Sequence, residues 1–143
     1  EQTTSHILMI RPARFAFNEQ TADTNAFQDP AARDTAEAVQ EKALREFDAM
    51  VDNLRGFGVD VTVIEDTPDP HTPDAIFPNN WISFHRIGDG TVYLYPMQAP
   101  NRRLERRTDI LEMLQQRFRI SKTVDLSHYE AEQQALKTSL DAN

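Results

Sequence analysis

No cysteine occurs anywhere in the 143 residues, so disulfides, cysteine-ligated zinc and a thiol nucleophile are excluded from this stretch of chain. Long apolar runs are missing too: nothing approaches the roughly 18 consecutive apolar residues of a membrane span. The opening Glu1-Gln2-Thr3-Thr4-Ser5-His6 lacks the basic and then apolar pattern of a secretory leader, which makes the cytoplasm the expected compartment. Positive charge is scarce. With 15 Lys and Arg against 23 Asp and Glu the net charge is −8, whereas nucleic-acid and anionic-membrane surfaces need clustered basic groups to displace counterions. His6, His71 and His128 show no metal-ligand spacing with one another, so no zinc site is expected.

What is present suffices for one α/β domain with a real core. Ile7-Leu8-Met9-Ile10, stopped by Arg11-Pro12, reads as a buried strand. Residues 13–34 mix polar side chains with Phe15, Phe17 and Phe27 without a period, as a lid or binding loop does. A helix should follow, with Asp29 as N-cap before Pro30. Its apolar stripe is Val39, Ala43, Phe47, Met50, Val51 and Leu54, and Gly56 and Gly58 end it. The alternating, β-branched Val59 to Ile64 predicts a strand parallel to the first, with the helix as crossover.

Glu65 to Pro78 holds four prolines and cannot be helix. Trp81 to Arg86 and Thr91 to Tyr95, joined by Gly88-Asp89-Gly90, carry the best hairpin signal. Asn101 should cap one further amphipathic helix with Leu104, Ile110, Leu111, Leu114 and Phe118, before a strand near Thr123 to Leu126. From the hairpin onward the order is ββαβ. Beyond Ser127 the chain is polar, and Glu130 and Glu132 read as a solvated helical turn.

The segment Thr72-Pro73-Asp74-Ala75-Ile76-Phe77-Pro78-Asn79-Asn80-Trp81 fits no ordinary loop or strand grammar. Asp74, Asn79 and Asn80 crowd the entrance to an apolar strand, and an Asp six residues before an Asn can aim several hydrogen-bonding groups at one small planar polar group. An Asx-turn at Asp74 and a strand cap at Asn79 or Asn80 are the structural alternatives.

Five stretches stand out together: Met9-Ile10-Arg11-Pro12; Phe15-x-Phe17-Asn18-Glu19-Gln20-Thr21; Asn25-Ala26-Phe27-Gln28; Pro73 to Trp81; and Tyr95-Pro96-Met97 with Ala99-Pro100-Asn101-Arg102-Arg103. Through them the chain resembles the amidinotransferase superfamily of guanidine-modifying enzymes, closest to its citrulline-hydrolase-like branch. The resemblance runs from Ile7 to about Glu132 and fails close to Lys137, as in a truncated or disrupted frame. It implies a pentein fold, a five-module α/β-propeller of ββαβ units, with residues 1–143 as the N-terminal part and about two modules. It implies hydrolysis of a non-peptide C–N bond in a ureido or guanidino amino acid by a cysteine nucleophile and a histidine, with no metal or organic cofactor. Both belong to the C-terminal half of the family pattern, so no catalytic residue is expected here and the isolated chain should be inactive. Incomplete sheets imply a homo-oligomer or association with a C-terminal half. The alternative is a non-catalytic remnant serving as a small-molecule binding or oligomerising module.

Deiminase relatives carry Asp-x-x-Phe-x-x-Asp, whose acids grip a guanidinium. Asp74 and Phe77 match, but the last position is Asn80, which offers donor and acceptor to a neutral ureido group. Asp74, Asn79, Asn80, Arg102 and Asn18 are the expected substrate-binding residues. For Arg102 and Arg103, placed in the first turn of the expected helix, two readings stand: an anion such as a substrate carboxylate nearby, or a salt bridge to Glu105 or to the acidic surface. No base is visible for attack by a serine or threonine, and His85, sharing a strand face with Ser83, reads as a packed or surface histidine.

Overall fold

A computed structural model describes residues 4–21, 35–86 and 90–132. The chain divides into two compact units, 1–78 and 79–143.

The first unit is a parallel βαβ element. Strand β1, His6–Arg11, pairs in parallel with β2, Asp60–Glu65, Ile7 lying opposite Val61 and Met9 opposite Val63. Helix α1, Ala36–Gly56, is the connection. Phe47 and Val51 point from α1 into a cluster with Val61, and Ile7, Met9, Leu54, Val59 and Val63 pack around it. Each such side chain contributes about 1.5–3 kcal/mol when fully buried. Met50, at the edge of the expected stripe, is 54% exposed.

Thr35, not Asp29, caps α1, its hydroxyl accepting from the Ala38 N–H at 3.2 Å; Asp29, Asn25 and Phe27 lie outside the described residues. The helix stops through Gly58, which takes φ +81 and donates to the Arg55 carbonyl at 2.9 Å. Arg11 grips Asp48 of α1 through Nε at 2.8 Å and Nη2 at 2.9 Å, tying strand to helix.

The second unit is a three-stranded sheet of order β3-β4-β5. Strand β3, Ile82–His85, runs antiparallel to β4, Thr91–Leu94, and β5, Lys122–Asp125, runs parallel to β4. Trp81, expected to start the strand, sits in the preceding turn and is wholly buried. Its backbone carbonyl still accepts from Tyr95 N–H at 2.9 Å, one step beyond the ladder.

The single helix expected after Asn101 is two. A one-turn α2, Pro100–Arg103, follows Ala99, and α3, Thr108–Arg117, follows Arg107. Between them Arg107 is extended and its guanidinium pairs with Asp109 in the first turn of α3. Asn101 therefore lies inside α2 rather than capping a long helix, and Leu104 is half exposed. Ile110 and Leu114 are the buried residues of α3. The unit is thus ββαβ in order, and the whole chain is mixed α/β with small sheets.

Candidate functional site

In the first unit the residues after β1 fold back onto the loop that follows β2. Gln40 of α1 holds the start of this segment, donating to the Pro12 carbonyl at 2.8 Å and accepting from Phe15 N–H at 2.6 Å. His71 Nε2 lies 3.0 Å from the Arg14 carbonyl, so that nitrogen carries the proton and donates. Asn18 Nδ2 then donates to Asp74 Oδ2 at 2.7 Å, and Thr21 Oγ reaches the same oxygen at 3.3 Å.

Asn18 and Asp74 are 1% and 3% exposed. A carboxylate so deeply placed needs donors, because an unpaired buried charge is costly, and the segment 18–21 brings them. Asp74 sits in a turn whose backbone bonds run from Ala75 N–H to the Thr72 carbonyl and from Phe77 N–H to the Asp74 carbonyl. Thr72 in turn donates its hydroxyl to Asp66. Phe77 remains 44% exposed beside this carboxylate's turn.

In the second unit Asn79 and Asn80 are exposed, at the end of a 3-10 turn, Pro78–Asn80. Asn80 Oδ1 accepts from Arg102 Nη1 at 3.0 Å. Arg102 is also held by Glu105 in a fork, Nε to Oε1 at 2.9 Å and Nη2 to Oε2 at 3.0 Å, with the Glu105 side chain only 1% exposed. The salt bridge to Glu105 is therefore the reading of Arg102 that this structure supports. The dipole argument for a nearby anion loses its premise: Arg102 and Arg103 belong to a one-turn helix rather than to the start of a long one, and so short a helix has little dipole to oppose them.

Glu130 is not solvated. It accepts from Met97 N–H at 2.7 Å, pairs with Arg106 Nη1 at 2.6 Å and lies 3.4 Å from Arg103 Nε, with 12% of its side chain exposed. It thereby fixes the Pro96 to Arg106 segment that presents Arg102.

The expected site residues thus form two groups: Asn18 with Asp74 in the first unit, and Asn80 with Arg102 in the second, with Asn79 exposed beside Asn80. Thr21 and Gln40 were not singled out by the sequence, whereas Glu105 was expected only as a salt-bridge partner of Arg102 or Arg103. Thr21 was legible only as the end of a motif, and Gln40 sits on a helix where Gln is routine. Among the described residues no cluster of His, Asp or Glu suits a metal ion, and no helix is long and apolar enough to cross a membrane.

Comparison with known proteins gives a family. The family described as N,N dimethylarginine dimethylhydrolase, eukaryotic, matches residues 11–140. No curated protein and no solved structure matches. The match spans nearly the whole chain, including Asp74, Asn80 and Arg102, and extends past Lys137, where the likeness was expected to fail. The chain belongs to the dimethylarginine dimethylhydrolase family, within the amidinotransferase superfamily of guanidine-modifying enzymes.

Proposed function

We propose that this chain supplies the substrate-gripping part of a hydrolase that cleaves a C–N bond at the guanidino or ureido carbon of an arginine-derived amino acid. One observation carries the reading: in a chain of this family, the Asp74 carboxylate of the Asp74-x-x-Phe77-x-x-Asn80 motif is buried and oriented by Asn18 and Thr21. A fixed carboxylate acceptor is what a planar group rich in N–H donors needs. An amide at Asn80, where deiminase relatives carry a carboxylate, favours a ureido or alkylated guanidino substrate over free arginine. Arg102, held by Glu105, sets the Asn80 amide so that its oxygen is engaged.

In the complete reaction a thiolate would attack the planar carbon and a histidine would move protons. With no cysteine among these 143 residues, the thiol has to come from outside them. The βαβ and ββαβ elements are on this reading the equivalents of about two of five propeller modules. Association with a complementary half or a second copy would complete the sheets.

The test is calorimetry of the chain with citrulline, dimethylarginine and arginine. Saturable binding of the first two that Asp74→Ala removes is expected. Binding unaffected by Asp74→Ala, or none of any ligand, would overturn the reading in favour of an oligomerising module without a ligand.

A further inference from the structure

The hairpin of the second unit carries a chemical arrangement that substrate gripping does not use. Pairing of β3 with β4 sets Ser83 opposite Tyr93, and because side chains alternate along a strand, Ser83, His85, Tyr93 and Tyr95 share one face. His85 Nε2 lies 2.8 Å from Ser83 Oγ, and Ser83 Oγ lies 2.7 Å from the Tyr95 hydroxyl. The His85 ring stands edge-on to Tyr93 with centroids 5.1 Å apart, and Tyr93 stacks near-parallel on Tyr95 at 6.4 Å. Ser83 is half-buried and His85 exposed. The base that sequence reading did not find for a serine is therefore two residues along the same strand.

The protons on this line can run only in one sense at a time. When His85 carries its proton on Nδ1, Nε2 accepts from the Ser83 hydroxyl, and Ser83 Oγ must then accept from Tyr95. In that state Ser83 is a hydroxyl with a base at hydrogen-bond distance, the geometry of an activated nucleophile. The near-parallel rings of Tyr93 and Tyr95, both half-buried, put aromatic surface next to Ser83 on the same face, which favours an ester with an aryl group.

We propose that Ser83 is a covalent modification site, acylated by aryl esters of small carboxylic acids with His85 as the base. Ser83 Oγ bonds to the ester carbonyl carbon while its proton passes to His85 Nε2. The tetrahedral adduct then breaks its bond to the aryl oxygen, and His85 returns the proton to the departing phenolate. The products are an O-acyl serine and a phenol, with no oxidant, reductant or metal required.

The experiment treats the full chain with p-nitrophenyl acetate, follows release of nitrophenolate and maps the acetyl group by peptide mass spectrometry. Acetylation at Ser83 is expected, absent in Ser83→Ala and retained in Tyr95→Phe, which excludes the phenol as acceptor. His85→Gln keeps a hydrogen-bonding amide but cannot take up the proton, and should slow the reaction about 100-fold, the lower range of general-base contributions. Ser83→Thr keeps a hydroxyl on a residue suited to a strand and should still label, more slowly. Acetyl confined to lysine or the amino terminus, or an unchanged rate in a folded His85→Gln chain, would overturn the proposal.

Discussion

Asn18 Nδ2 donates to Asp74 Oδ2 across 2.7 Å, joining a buried amide to a buried carboxylate that lies 56 positions further along the chain. Asn18→Ala leaves that carboxylate in place with one donor fewer, and hydrogen bonds to charged groups are worth about 1.5–3 kcal/mol. Urea unfolding should show a loss of that order at neutral pH. An unchanged midpoint would mean that the pair does not hold the loop.

Glu130 should be among the most sensitive acidic residues of the second unit. Glu130→Ala removes the partner of Arg106 and Arg103 and the acceptor of Met97 N–H at once. Glu130 is only partly buried, so the loss expected is about 1.5–3 kcal/mol, the range for hydrogen bonds to charged groups, rather than the larger cost of breaking a fully buried pair. Glu132, which is exposed, serves as the control, with a change within about 0.5 kcal/mol expected for Glu132→Ala.

Gly90 cannot be replaced without cost. It takes φ +102, and a Cβ there would fall 2.4 Å from the Arg119 backbone carbonyl, which cannot swing away as a side chain would. Gly90→Ala should destabilise by about 2 kcal/mol or more from backbone strain and the clash together. Gly56→Ala, with nothing near its Cβ, should instead be neutral or slightly stabilising.

Asn80→Asp tests ligand preference. The new carboxylate would face Arg102, which already donates to this position, so much of its charge would be spent within the protein. Preference measured by calorimetry should move from citrulline towards arginine, by less than about tenfold. No change in the ratio would mean that Asn80 does not face the ligand and serves as a cap.

Acid should destabilise the fold only well into the carboxylate range. Hydrogen bonds from Arg11 hold Asp48 below its usual pKa, those from Arg107 do the same for Asp109, and the Ser127 side chain and backbone do so for Asp125. A depressed folded pKa contributes stability that is fully present above the unfolded value of about 3.9 and is lost as pH falls through the folded value. Circular dichroism against pH should therefore show these contributions intact at pH 5 and disappearing below about pH 4. Loss already complete at pH 5 would contradict the depressed values.

The sequence by itself determined the strands, the crossover helix and the motif. β-Branched alternation at 59–64, the stripe through Phe47 and Val51, and the paired runs on either side of the Gly88-Asp89-Gly90 sequence are local signals, and local periodicity is set by the backbone geometry of each element. It also determined what these residues lack, since no tertiary contact can supply a thiol. Only the tertiary structure decided the partners. Whether Asp74 would form an isolated Asx-turn or receive a buried amide depended on a loop 56 positions away. Whether Arg102 would face an anion or Glu105 depended on where a helix broke, and Glu130 looked solvated because its two arginines lie 24 and 27 residues upstream. Side-chain chemistry announces that a charged group needs a partner. Which partner it finds is settled by long-range packing, where burial raises the cost of leaving any donor or acceptor unmatched.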